Sequence, residues 1–99
     1  MRLTPSHVEL IRSTAKQVLG EDAQVILFGS RVNDQDKGGD VDLLVSVPHT
    51  VTDPAVLSAR MASRISRAMG GRKVDVILQA PNLQVQAIHQ VARQTGIVL

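Results

Sequence analysis

Three kinds of residue are missing or nearly missing from this chain, and each absence closes a class of function. There is no cysteine, so neither a disulfide framework nor a thiolate metal site can be built. There is no tryptophan or tyrosine and a single phenylalanine, Phe28. Single-stranded nucleic acid would therefore find almost no aromatic platform on which to stack its bases. No apolar run approaches the roughly 20 residues that span a bilayer, and Met1-Arg2-Leu3-Thr4-Pro5 lacks the apolar stretch of a signal peptide. These absences fit a cytoplasmic protein without a membrane role.

Acidic residues are scarce in one half only. Residues 1–53 carry eight acids and five bases, whereas residues 54–99 carry six bases and one acid, Asp75. The net charge of +2 is small, and six bases so thinly spread read as a solvated surface rather than a nucleic-acid footprint. What is present is ordinary for a globular protein: 99 residues, 43% hydrophobic and 20% charged. That length supports one core, so residues 1–99 are expected to form a single domain.

The local signals alternate between two periods. Thr4-Pro5 has the form of a helix start, a hydroxyl cap before proline, with Ser6 and Glu9 as an alternative capping box. Val8, Ile11, Ala15, Val18 and Leu19 follow at helical spacing, and Gly20 is placed to stop the helix. Residues 23–28 form a β-branched apolar run that ends at Gly29-Ser30. A polar loop follows over residues 31–39, with room for one helical turn after Ser30. Residues 40–47 read as a second strand closed by Pro48. Asp53-Pro54 repeats the cap-plus-proline start, and Leu57, Met61 and Ile65, with Ala68 and Met69 beyond, give a second helix its apolar stripe. Residues 73–78 form a third strand, broken by Pro81-Asn82. Leu83, Ala87, Ile88, Val91 and Ala92 mark a third helix, and Ile97-Val98-Leu99 either adds an edge strand or caps the core. The order α-β-β-α-β-α, with no repeat or linker, predicts an α+β fold: a small mixed sheet of three to four strands with helices packed on it.

The chemistry concentrates on a few of these positions. Side chains alternate along a strand, so Asp40 and Asp42 project to one side while Val41, Leu43 and Val45 face the core. Two carboxylates on one face repel each other unless a cation lies between them. Magnesium suits that place, being a hard cation held by one or two carboxylates together with substrate phosphates. Asp75 is the candidate third carboxylate, since strands disfavour Asp and its neighbours Val74, Val76 and Leu78 point to the core. If its strand pairs beside residues 40–47, the three converge. Gly29 lets the backbone approach a ligand with no Cβ in the way, and Ser30 offers a hydroxyl and an amide. A helical turn starting there would favour a phosphate, and Arg31 would add charge for a triphosphate.

Phe28-Gly29-Ser30, Asp40-Val41-Asp42-Leu43-Leu44-Val45 and Val74-Asp75-Val76 resemble the nucleotidyltransferase superfamily of DNA polymerase beta, most closely its minimal nucleotidyltransferases (MNT). The resemblance spans roughly residues 7–99. It implies magnesium on Asp40 and Asp42, and Asp75 as third ligand or as base for the attacking hydroxyl. Gly29 and Ser30, with Arg31, would hold the triphosphate of ATP. The implied reaction is attack of an acceptor hydroxyl on the α-phosphorus with release of pyrophosphate. Larger relatives carry an added acceptor domain, so a separate protein is expected to supply the acceptor here. Minimal nucleotidyltransferases pair with helical HEPN proteins, as antitoxins that transfer AMP to a tyrosine of the toxin. By that resemblance this chain is an antitoxin in a hetero-oligomer with a HEPN toxin.

Other residues carry less. His7, His49 and His89 have no metal-ligand spacing and read as surface or hydrogen-bonded histidines. Asp34 and Asp36 fit a polar loop, and Arg60, Arg64 and Arg67 a solvated helix face. Two alternatives stand beside a protein-modifying transferase: one acting on a small molecule or RNA, and an antitoxin acting by contact alone. Absence of an acceptor domain weighs against the first, and the intact acids against the second.

Overall fold

A computed structural model describes residues 3–29, 41–84 and 87–99. Ser30, Arg31, Asp34, Asp36 and Asp40, all singled out in the sequence, lie outside the described residues.

Helix α1 spans Pro5–Leu19 and starts as the Thr4-Pro5 signal predicts. Thr4 Oγ1 accepts from the His7 amide at 3.1 Å, and His7 Nδ1 accepts from the Thr4 amide at 3.4 Å. A histidine thus stands where a capping box usually has Glu or Gln, and the Ser6–Glu9 alternative is not used. The helix ends at Gly20, whose amide donates to Lys16 O at 3.0 Å. The Nε2 of His49 lies 3.1 Å from Leu19 O and satisfies a terminal carbonyl from 30 residues away in sequence.

Strand β1 is Gln24–Phe28 and β2 is Val41–Ser46; β1 starts one residue later and β2 ends one residue earlier than the apolar pattern predicts. Helix α2 spans Pro54–Ala68. Asp53 precedes it as expected but makes no side-chain cap hydrogen bond, its ψ of 71° lying away from the extended capping conformation. Met61, Ile65 and Met69 are buried, whereas Ala68 is exposed and falls outside the stripe. Arg60, Arg64 and Arg67 are exposed, as the helix pattern predicts.

Strand β3 is Val74–Gln79 and helix α3 is Ala87–Thr95. Leu83 does not belong to α3: its amide donates to Ala80 O at 3.1 Å in a turn, and its side chain packs on the main core. The tail resolves as an edge strand, β4, at Ile97–Val98. A Cβ at Gly96 would strike Ala92 O and the Ile26 side chain and come within 2.8 Å of Leu27 O. Glycine there lets the tail leave α3 and pair with β1 at once.

The sheet order is β3-β2-β1-β4. β1 pairs antiparallel with β2 and with β4, and β2 pairs parallel with β3 through the α2 crossover, giving the mixed sheet the sequence predicts. Two apolar layers result. Behind the sheet, Ile11, Ala15 and Leu19 of α1 and Met61 and Ile65 of α2 pack on Val25, Leu27, Val41, Leu43 and Val45. In front, Ala92 of α3 packs on Ile26, Phe28 and Leu44. No buried side-chain nitrogen or oxygen among the described residues lacks a hydrogen-bond partner. No helix among them is long and apolar enough to cross a membrane.

Candidate active site

The register of the three longer strands arranges their front-facing side chains in rungs. Phe28 stands opposite Asp42, and Asp42 opposite Asp75. The next rung is Ile26, Leu44 and Ile77, and the third is Gln24, Ser46 and Gln79. Strand alternation alone puts these residues on one face. The middle rung is apolar and lies under α3; toward one end of the strands the first rung sets two carboxylates beside Phe28, and toward the other the third rung is polar.

Asp42 and Asp75 each occupy the second position of their strand, side by side across the parallel pair. Neighbouring strands lie about 4.8 Å apart, so two carboxylates in this relation can face one cation. Asp42 is half-buried, whereas Asp75 is exposed. The sequence places Asp75 within an apolar strand; in the fold that strand is the sheet edge, so its carboxylate stays in solvent. Asp40, the other carboxylate singled out in the sequence, lies outside the described residues. Among those described, no group of three His, Cys, Asp or Glu residues is arranged to hold a metal ion.

Gly29 closes the first rung from the end of β1. Its φ of +77° is a conformation that only glycine adopts without cost. A Cβ built there would collide with Asp42 Oδ2 and lie 3.2 Å from its Cγ. The Gly29 backbone and the Asp42 carboxylate are therefore packed against each other, a cradle that any side chain at position 29 would fill. The oxygen donors of the two acids and this close backbone fit a hard cation with its phosphate ligands.

A cleft of about 600 Å³ opens over this rung. One side carries Gly29, Asp42 and Asp75; the other is built by Phe28 and Ile77 from the sheet and Ile88, Val91 and Thr95 from α3. The sequence uses Ile88 and Val91 to mark a helix, and in the fold both lie beside its buried strip rather than in it. Ile88 is 37% exposed and Val91 49%, while His89 and Ala92 face the sheet at 4% and 0%. The signal was present: residues 88, 91 and 95 form one stripe and residues 89, 92 and 96 another, and a short helix buries one. The histidines fall into structural places, His7 in the α1 cap, His49 at the α1 end, and His89 buried beneath α3.

A mixed sheet thus sets two carboxylates beside a glycine turn, at the mouth of a cleft of nucleotide size. The family model for the nucleotidyltransferase domain matches residues 8–94, and the chain belongs to that family. No match to a curated protein was found. Among solved structures, the fold is similar to that of a Shewanella oneidensis protein, with TM-score 0.67 and 16% identity over 98% of this chain and 71% of that one. It is also similar to a chain of a toxin–antitoxin complex with AMP-PNP, at TM-score 0.68 and 16% identity over 97% and 72%. A third likeness is to a chain of the structure described as a tri-AMPylated Shewanella oneidensis HEPN toxin in complex with MNT antitoxin, at TM-score 0.56 and 18% identity over 91% and 69%. At these identities the likeness is one of fold.

Proposed function

We propose that this chain is a magnesium-dependent nucleotidyltransferase that moves AMP from ATP to a hydroxyl of a partner protein, as the cytoplasmic antitoxin of a HEPN/MNT pair. The observation that carries the reading is the pairing of Asp42 with Asp75 over the Gly29 turn. The domain family supports nucleotide transfer. The partner and the transferred group are drawn from the fold neighbours, described as a toxin–antitoxin complex with AMP-PNP and as a tri-AMPylated HEPN toxin with MNT antitoxin.

In this reading Asp42 and Asp40 would hold magnesium, which would supply positive charge to neutralise phosphate and to steady the attacking and leaving oxygens. Gly29 brings backbone close to the triphosphate, with Ser30 and Arg31 completing its binding. Asp75 is the third carboxylate toward the metal, and its exposure suits it to meet an acceptor arriving from solvent. It takes the proton of the acceptor hydroxyl as the oxygen bonds to the α-phosphorus and the bond to pyrophosphate breaks. The apolar side of the cleft, from Ile77, Ile88 and Val91, excludes water from one flank of the nucleotide. Contact alone would require none of this apparatus, which favours catalysis over a purely binding antitoxin.

The test is incubation of the chain with magnesium, labelled ATP and a HEPN partner. Label on the partner is expected, and Asp42→Asn should abolish it while the fold persists. Absence of label on protein, nucleic acid and small molecules alike would refute the enzyme reading.

A further inference from the structure

Helix α3 forms one wall of the cleft, yet its apolar hold on the sheet is small. Among its described residues only His89 and Ala92 are buried, and Ala92 is the one residue of α3 enclosed in the front apolar layer. A second attachment is polar. Arg93 Nε donates to Gln79 Oε1 at 2.9 Å, and Arg93 Nη2 donates to Ser46 Oγ at 3.2 Å. Ser46 and Gln79 are register partners across β2 and β3, so one guanidinium bridges both strands of the parallel pair. They form the third rung, four residues along each strand from Asp42 and Asp75, or about 13 Å at the usual rise.

The placement of Arg93 around the helix matters as much as its reach. Successive residues turn by about 100°. The Ile88, Val91 and Thr95 stripe therefore lies on one side of the buried His89 and Ala92 stripe, and Arg93 lies on the other. The buried strip and the direct run into β4 hold the helix to the sheet, and a tie placed beside the strip limits the roll that remains. Arg93 fixes it from the side opposite the cleft, and the roll decides how far Ile88 and Val91 lean over the carboxylates.

We propose that Arg93 is a positioning residue: by bridging Ser46 and Gln79 it sets the roll of α3 and thereby the position of the cleft wall that flanks the nucleotide. The clause about the nucleotide rests on the function proposed above; the control of α3 does not. The planar fork of arginine reaches its two acceptors from two separate nitrogens, Nε and Nη2, whereas the donors of lysine all radiate from one nitrogen and cannot reproduce that spread.

Two measurements on Arg93→Ala and Arg93→Lys test this. Amide hydrogen exchange should quicken about tenfold in α3 of Arg93→Ala and stay unchanged in α1 and β2, with Arg93→Lys between. In the transfer assay KM for ATP should rise about three- to tenfold at nearly constant kcat, the sign of lost ground-state binding. A merely stabilising role would lower the folded fraction, and so the apparent kcat, at unchanged KM. Unchanged α3 exchange, or exchange quickened equally throughout the chain, overturns the proposal. So does a fall in kcat at unchanged KM. If the wild-type chain transfers no nucleotide, the proposed function fails while the exchange comparison still decides the role of Arg93. If Arg93→Ala does not fold, Gln79→Ala and Ser46→Ala, each removing one bond, give the same comparison.

Discussion

The space that a side chain at Gly29 would need is filled by the carboxylate of Asp42. Glycine is required at this position twice over, once for its φ of +77° and once for that contact. The two reasons can be separated, because Gly70 has almost the same φ, +74°, and nothing within 4 Å of a built Cβ. A turn that brings bare backbone against a half-buried acid is a means of fixing where that acid points.

Gly29→Ala and Gly70→Ala should therefore diverge in activity while resembling each other in strain. The left-handed conformation costs either variant about 1–2 kcal/mol, or roughly 4–16 °C in melting temperature for a domain of this size. Only Gly29→Ala displaces Asp42, and misplacement of a catalytic group by an ångström can cost about 100-fold in rate. Thermal melts and label transfer on both variants check this. Equal activity in the two would show that the Asp42 contact is immaterial.

Asp75→Asn should separate chemistry from stability. Asp75 is exposed on an edge strand, so its replacement by an isostere is expected to shift stability by no more than about 0.5 kcal/mol. Loss of the proton acceptor should lower transfer by about 100- to 10,000-fold. Chelation of magnesium should bring the wild type to background with recovery on adding the ion back. A fully active Asp75→Asn enzyme would remove Asp75 from the mechanism.

Asn82→Ala should do the reverse. The Asn82 side chain grips the backbone of Val51, its Oδ1 accepting from the amide at 3.0 Å and its Nδ2 donating to the carbonyl at 2.8 Å. Val51 is 3% exposed, so removing the amide group leaves two backbone groups poorly satisfied, at a cost of about 2 kcal/mol. A melting temperature lower by about 10 °C is expected. Transfer at 25 °C should stay intact, since this clamp lies beyond the strand ends opposite the acids. Unaltered melting would mean that solvent replaces the clamp.

Much of this architecture was legible in the sequence, for definite physical reasons. Strand alternation put Val41, Leu43 and Val45 behind the sheet and Asp42 in front, whereas the pairing that sets Asp75 beside Asp42 stood in the sequence only as a condition and is met by the parallel β2–β3 register. The third helix was less legible. Its apolar residues at 88, 91 and 92 fit two stripes, and periodicity cannot choose which one a nine-residue helix buries. Asp53 misled because a cap depends on the backbone angle as well as the residue type. Phe28 and Ile77 had a double role that no pattern separates, since both serve the front layer and line the cleft. The grip of Arg93 on Ser46 and Gln79 joins residues 47 and 14 positions apart, which local patterns do not reach.

The sheet with a thick apolar layer behind it and a thin one in front divides the chain into two regimes of sequence drift. Ile11, Leu43, Met61 and Ile65 are fully enclosed between the sheet and two 15-residue helices, so a change in any one must be answered by its neighbours. The cleft-facing positions 88, 91 and 95 answer to no packed neighbour on their outer side. They can be exchanged one at a time at little cost to the fold. The strand periodicity that hides one side of each strand thereby leaves the other side open to adaptation.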